Sequence, residues 1–329
     1  MELSSLPGFP RAWATELSHS GIVTAGDLLS MSEGSLATST RTSLACARST
    51  ASWLACTVAP LPCSSLALLK RDKETRSTLP TEAETLDAAL KGGLPPSLTE
   101  LVGCAGVGKT QTALTLAAVA TTRDGGGGGV VWVDTEGAFS AQRLRELLCA
   151  RYPAVYGTDA AGRSRVEDAL QHVVLFQPSS LAEAVALLAR MEGLILEKGV
   201  RLVVVDSVAA LARREFDTAL RGDMQARTEL LNRMSAHLKL IADTFRVPVL
   251  VTNQVRSMPR GQRGDAAVDE ELTPALGVSW AHSVNTRLYL SKGVAGERQM
   301  TIMKSSVAPP LVLRYIITDA GMQELRPGA

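Results

Sequence analysis

Aromatic side chains are scarce: Phe, Trp and Tyr together make up 4% of the 329 residues. A surface that stacks one nucleic-acid base after another on rings has too little material here. Histidine is almost as rare, with four residues, and the five cysteines (Cys46, Cys56, Cys63, Cys104 and Cys149) include no C-x-x-C pair. That argues against a zinc site and for a reduced set of intracellular thiols. No apolar run approaches the roughly 18 residues of a membrane span. Met1-Glu2-Leu3-Ser4 also lacks the basic start of a secretory leader. The expectation is a soluble intracellular protein with no membrane partner. An excess of either charge is missing too. The net charge is +1 with 20% charged residues, so contact with a polyanion must come from local patches.

Apolar residues are plentiful at 46%, enough for a sizeable core. Residues 1–57 are rich in Ser, Thr, Ala and Leu and read as a small helical domain, with helices expected over 10–19, 24–30 and 35–53. Its Arg11, Arg41 and Arg48 stand against Glu2, Glu16, Asp27 and Glu33, a balance that does not favour DNA binding by this domain alone. Residues 58–80 carry Pro60, Pro62 and Pro80 around a mixed-charge stretch and read as a linker.

From residue 81 to 329 the pattern alternates between short apolar strands and helices. Strands are expected at 98–103, 130–134, 172–177, 201–206 and 247–253, with helices over 109–121, 140–150, 181–198 and 224–244 between them. Continuous apolar strands separated by helices imply a mainly parallel α/β sheet covered on both faces. Three further strands at 285–291, 299–305 and 312–318 are joined too tightly for crossover helices, so antiparallel pairing is expected there. The Gly-rich run 125–129 reads as a flexible surface insertion.

Gly103-Cys104-Ala105-Gly106-Val107-Gly108-Lys109-Thr110 fits the phosphate-loop pattern G-x-x-x-x-G-K-T between an expected strand and helix. The glycines let backbone N–H groups turn inward around phosphates, and the helix start adds a favourable dipole. Lys109 is placed to reach the β- and γ-phosphates of ATP, and Thr110 to offer its hydroxyl to Mg²⁺. Asp206 ends a buried strand at the sheet's carboxyl edge, where it would hold the magnesium directly or through water. Glu136, in Asp134-Thr135-Glu136, either orients the attacking water or caps the following helix. Gln254, in Thr252-Asn253-Gln254, either senses the γ-phosphate or serves as turn chemistry.

Two segments are candidates for DNA. Residues 212–227 carry Arg213, Arg214, Arg221 and Arg227 with a net charge of +1. Residues 255–277 carry Arg256, Arg260 and Arg263 first and four acids after them, for a net charge of −1. Phosphate tracking and plain solvated loops both fit these charges.

The phosphate loop, Asp134-Thr135-Glu136, Leu202-Val203-Val204-Val205-Asp206-Ser207 and Thr252-Asn253-Gln254, in that order, resemble the RecA family of recombinases. The stretch 275–288 (ALGVSWAHSVNTRL) is similar to its eukaryotic Rad-fifty-one branch. Residues 133–144 (VDTEGAFSAQRL), 213–217 and 303–309 most resemble the B-type paralogue of that recombinase. The resemblance implies a RecA-like ATPase core behind a small helical domain, slow DNA-dependent ATP hydrolysis, and work in the nucleus in recombination repair of double-strand breaks. It implies that Glu136 is the catalytic carboxylate, Gln254 the γ-phosphate sensor, Arg221 a DNA-loop arginine, and Lys304 a cap reaching a neighbour's ATP. The partners it implies are single-stranded and branched DNA and the C-type paralogue, then the D-type and X-type members.

One feature of the polymerising recombinase is missing. Its linker hook, Phe-x-x-Ala, has no counterpart in residues 58–80, which contain no Phe. The same spelling at Phe9 and Phe216 falls outside the linker. That favours a subunit of a mixed complex that promotes filament assembly over a self-polymerising strand-exchange enzyme. An ATP-binding scaffold with negligible hydrolysis is the other reading.

Overall fold

The structure, a computed structural model, describes residues 1–59, 62–75, 78–122, 127–216, 221–254, 276–293 and 297–325. Of the expected Gly-rich insertion at 125–129, the first two residues fall outside this set, as do Arg256, Arg260 and Arg263, while Gly129 opens a buried strand. The chain divides into two compact units, Met1–Lys73 and Glu74–Ala329.

The first unit is helical: α1 (Arg11–His19), α2 (Ala25–Leu29), α3 (Glu33–Ser39), α4 (Leu44–Val58) and the start of α5 (Ser65–Thr75). Leu3, Leu17, Leu28, Leu36, Ala47 and Leu54 form its core. The single helix expected over 35–53 is two helices. Arg41 turns the chain at φ 50°, and the Ser43 hydroxyl then accepts from the Cys46 N–H to start α4. Residues 58–80 include the helix α5. Phe9 is buried in this core beside Trp53, so it is a packing residue and no free hook.

The second unit is a nine-stranded sheet: β1 (Leu98–Gly103), β2 (Gly129–Asp134), β3 (Val173–Phe176), β4 (Val200–Asp206), β5 (Val249–Gln254), β6 (Thr286–Lys292), β7 (Arg298–Lys304), β8 (Val312–Thr318) and β9 (Gly321–Glu324). Their order is β3-β2-β4-β5-β1-β6-β7-β8-β9. The run from β3 to β6 is parallel. β7, β8 and β9 follow with antiparallel pairings. Of the three late strands expected to be antiparallel, β6 also pairs in parallel with β1, because α14 (Val278–Ser283) returns the chain to the strand's starting edge.

The remaining helices are α6 (Glu84–Ala89), α7 (Lys109–Thr121), α8 (Ala141–Arg151), α9 (Ala160–Gln171), α10 (Leu181–Leu188), α11 (Glu192–Lys198), α12 (Val208–Glu215) and α13 (Arg221–Phe245). Strand residues alternate between two cores. Val130, Trp132, Leu202, Val204 and Leu250 pack with α7, α8 and α9. Val131, Val133, Val203, Val205, Val249 and Val251 pack with α10, α12 and α13. Burial on both faces is why these strands read as continuous apolar runs rather than alternating ones. All the parallel strands end at one edge, which brings Gly103, Asp134, Asp206 and Gln254 to the same side. No helix among the described residues is long and apolar enough to cross a membrane.

Candidate nucleotide site

The loop between β1 and α7 closes on itself. Gly108 ends it at φ 102°, where a Cβ would also collide with the Ile317 side chain. The buried Tyr315 hydroxyl donates to the Val107 carbonyl at 3.0 Å, so β8 braces the loop from behind. Lys109 is only 8% exposed, and its Nζ donates to the Gly103 and Cys104 carbonyls at 2.9 Å each. Burial lowers its pKa, with Asp206 and Glu136 opposing the shift. A partly desolvated ammonium held only by neutral carbonyls gains strongly from an anion.

Asp206 is 4% exposed at the end of β4. Its Oδ2 accepts from the Thr110 hydroxyl at 2.8 Å, and its Oδ1 from the Thr252 hydroxyl of β5. Burial raises its pKa; the two hydroxyls oppose the shift, while Glu136 and Asp134 reinforce it. A threonine hydroxyl and a buried carboxylate in direct contact are hard oxygen donors of the kind Mg²⁺ takes, and a cation there would offset the buried negative charge. The residues present therefore fit that ion.

The Asp134–Glu136 turn is fixed by its first acid. Asp134 accepts from the backbone N–H groups of Glu136, Ala138 and Phe139 at 3.0–3.2 Å. The helix-capping role weighed for Glu136 belongs to Ser140, which caps α8 through the Arg143 N–H. The Glu136 carboxylate accepts from the Ser207 hydroxyl at 2.5 Å and from Gln254 Nε2 at 3.2 Å. Arg213 Nη2 stands 3.9 Å away. Arg213 is carried on the last turn of α12, which Arg214 and Glu215 clamp to the Ser179 carbonyl and the Leu181 N–H. Thr135 bonds both ways with Ser207, which locks the ends of β2 and β4 together.

The structure thus gathers Lys109, Thr110, Glu136, Asp206 and Gln254 into one cluster. Lys304 is elsewhere in its bonding: its Nζ donates to the Ala281 carbonyl at 2.9 Å, at the end of α14. Burial, Arg287 and Lys239 lower its pKa. Arg221 and Arg227 both lie on α13, Arg221 at its first residue. Thr252, Ser207, Tyr315 and Arg213 were not singled out as parts of this site. Thr252 and Ser207 had a signal, since each adjoins a motif residue. Tyr315 had none, because its strand is distant in sequence.

Strand order, phosphate loop and strand-end carboxylates together define a RecA-like α/β domain. The chain belongs to the Rad51 family, whose model matches residues 72–325. It is similar to the human protein named DNA repair protein RAD51 homolog 2, with 36% identity over 268 residues, 74% of this chain and 68% of that one. The Arabidopsis thaliana protein of the same name is 32% identical over 327 residues, 92% of this chain and 85% of its own length. The Bos taurus DNA repair protein XRCC3 is 34% identical over 248 residues, 73% and 71% of the two chains. The B-type resemblance of residues 133–144 agrees with the first two.

Proposed function

We propose that this chain is an ATP-hydrolysing subunit of a recombinase-paralogue complex in homologous recombination repair. The observation that carries the reading is the contact between Thr110, Asp206 and Thr252, with Glu136 and Gln254 joined beside it. Lys109 would exchange its two loop carbonyls for the β- and γ-phosphate oxygens of ATP. Thr110 and Asp206 would hold Mg²⁺, which supplies neutralisation of phosphate charge. Glu136 orients the attacking water, and Gln254, hydrogen-bonded to it, reports the γ-phosphate to the segment that follows. Turnover by the isolated chain is slow, because a trans-acting cation is typically worth roughly 10³–10⁵ in rate. Lys304 of a neighbouring subunit is the proposed cation.

The names of the relatives support the repair role; work in the nucleus on single-stranded and branched DNA is the rest of the proposal. Arg221, Arg227, Arg256, Arg260 and Arg263 are the proposed DNA contacts. Residues 1–57, 58–80 and 81–329 are the proposed helical domain, linker and ATPase core.

A second observation bears on assembly. β3 is one of the sheet's two edge strands, and a cavity of about 490 Å³ beside it has apolar lining from Phe176, Leu187, Met191 and Leu194, with Glu183 and Arg190 among its polar lining. An added strand with an apolar anchor fits such an edge. The chain offers this acceptor while residues 58–80 lack a Phe to donate. That asymmetry supports partners of another kind, the C-type paralogue first and then the D-type and X-type, over self-polymerisation.

Lys109→Ala is the direct test, read as ATP affinity and single-turnover hydrolysis. Both should fall together. Turnover that survives the change overturns the site assignment.

A further inference from the structure

Glu100 is the least expected charged group in the fold. It lies mid-strand in β1 with no exposed surface. It faces the side of the sheet where Leu98, Val251, Trp280 and Val284 pack. Three donors converge on its carboxylate. Asn253 Nδ2 and the Trp280 indole N–H both donate to Oε1 at 2.9 Å, and Arg287 Nε donates to Oε2 at 2.7 Å. Arg287 is its cross-strand partner on β6, and Asn253 lies diagonally across on β5, opposite Val102. A buried ion pair is weak evidence for stability, since an apolar set of similar volume often serves a fold as well or better. Holding separate elements in one register is its better-attested use.

What the knot joins bears on the nucleotide site, and the inference rests on that site binding ATP. β1 runs from Glu100 directly into the phosphate loop at Gly103. Asn253 is the residue before Gln254, which bonds Glu136. Trp280 belongs to α14, whose terminal carbonyls hold Lys304. The chain leaves the knot at Asn253 and re-enters it at Trp280, so both ends of segment 254–279 close on a single oxygen atom.

We infer that Glu100 is a positioning residue for nucleotide sensing: through Asn253 and Trp280 it transmits the state of the phosphate loop to Gln254 and to α14, whose terminal carbonyls hold Lys304. A shift of β1 on loop closure moves the shared acceptor, and both donors follow it. The three bonds hold the sensor strand and the helix beyond segment 254–279 to one reference point.

Hydrogen exchange of the full chain, with and without a slowly hydrolysed ATP analogue and Mg²⁺, tests this, because protection at α14 is separate from protection at the loop. In the wild type the analogue should slow exchange at residues 104–112, at Gln254 and at 278–283, the last by about tenfold or more. Trp280→Phe keeps a ring and removes the indole donor. Asn253→Leu keeps the volume and removes the amide, and stands in should the Trp280 variant fail to fold. Both variants should keep loop protection; the effect should fall below about twofold at 278–283 in the Trp280 variant and at Gln254 in the Asn253 variant. Glu100→Gln with Arg287→Gln rebuilds all three bonds without charge and should transmit as the wild type does. Undiminished protection of 278–283 in the Trp280 variant, or of Gln254 in the Asn253 variant, overturns the inference. So does a wild type protected at the loop alone. A wild type with no protection at 104–112 overturns instead the reading that the site binds ATP.

Discussion

Replacing Asp206 with Asn should separate stability from nucleotide handling. The carboxylate is buried, and two hydroxyls donate to it. An amide accepts from one and donates to the other, so the bonds keep their number and lose charge assistance, at a cost of about 1–1.5 kcal/mol each. Against this, a buried carboxylate carries a desolvation penalty of several kcal/mol that the amide avoids. The balance is neutral to about 2 kcal/mol stabilising. With about 2–4 °C per kcal/mol for a unit of this size, the melting temperature should hold or rise by up to roughly 8 °C.

The difference should depend on pH. Burial raises the carboxyl pKa above its ordinary 3.8. Between 3.8 and the raised value the native chain therefore binds more protons than the unfolded one. Stability from this group falls as pH rises through that window, and the Asn variant has no such slope. The two melting curves converge below pH 3.8 and part toward neutrality. Ligand at about 100 times Kd adds about 2.7 kcal/mol, so ATP with Mg²⁺ should raise the wild-type melting point by roughly 5–11 °C. The variant should gain almost nothing. A variant that melts well below the wild type, yet still gains from ATP and Mg²⁺, refutes the reasoning.

Glu136→Gln should leave ATP affinity near the wild-type level and lower single-turnover hydrolysis roughly 10²–10⁴-fold. An unchanged hydrolysis rate assigns the water-orienting role to another group. Tyr315→Phe strands the buried Val107 carbonyl and should cost about 1–3 kcal/mol in denaturant unfolding. A loss well below that range means the phosphate loop does not depend on β8.

The central strands and their order of chemistry were legible because β2, β4 and β5 are short apolar runs ending in an acid or amide and β1 runs into the phosphate loop, apolar runs that parallel burial imposes. Helix boundaries were less so. The expected helix over 181–198 breaks between Leu188 and Glu192, yet Leu188, Met191 and Ile195 all enter one core. Burial on a common face carried the apolar spacing across the break. α9 and α12 went unread: one is too polar and the other too short to stand out by periodicity. Within the site, Lys109, Thr110 and Asp206 announce themselves by motif, because phosphate and metal chemistry fix residue type and spacing. Glu100 does not. Nothing local to Thr99-Glu100-Leu101 says that its partners arrive from β5, α14 and β6.

The chain is proposed to be an ATP-dependent subunit that assembles with other paralogues rather than with itself. Light-scattering mass, measured with ATP, Mg²⁺ and single-stranded DNA before and after a C-type paralogue is added, tests it most directly. A small species alone and a stoichiometric gain in mass with the partner are expected. Large DNA-bound assemblies of this chain alone would contradict it.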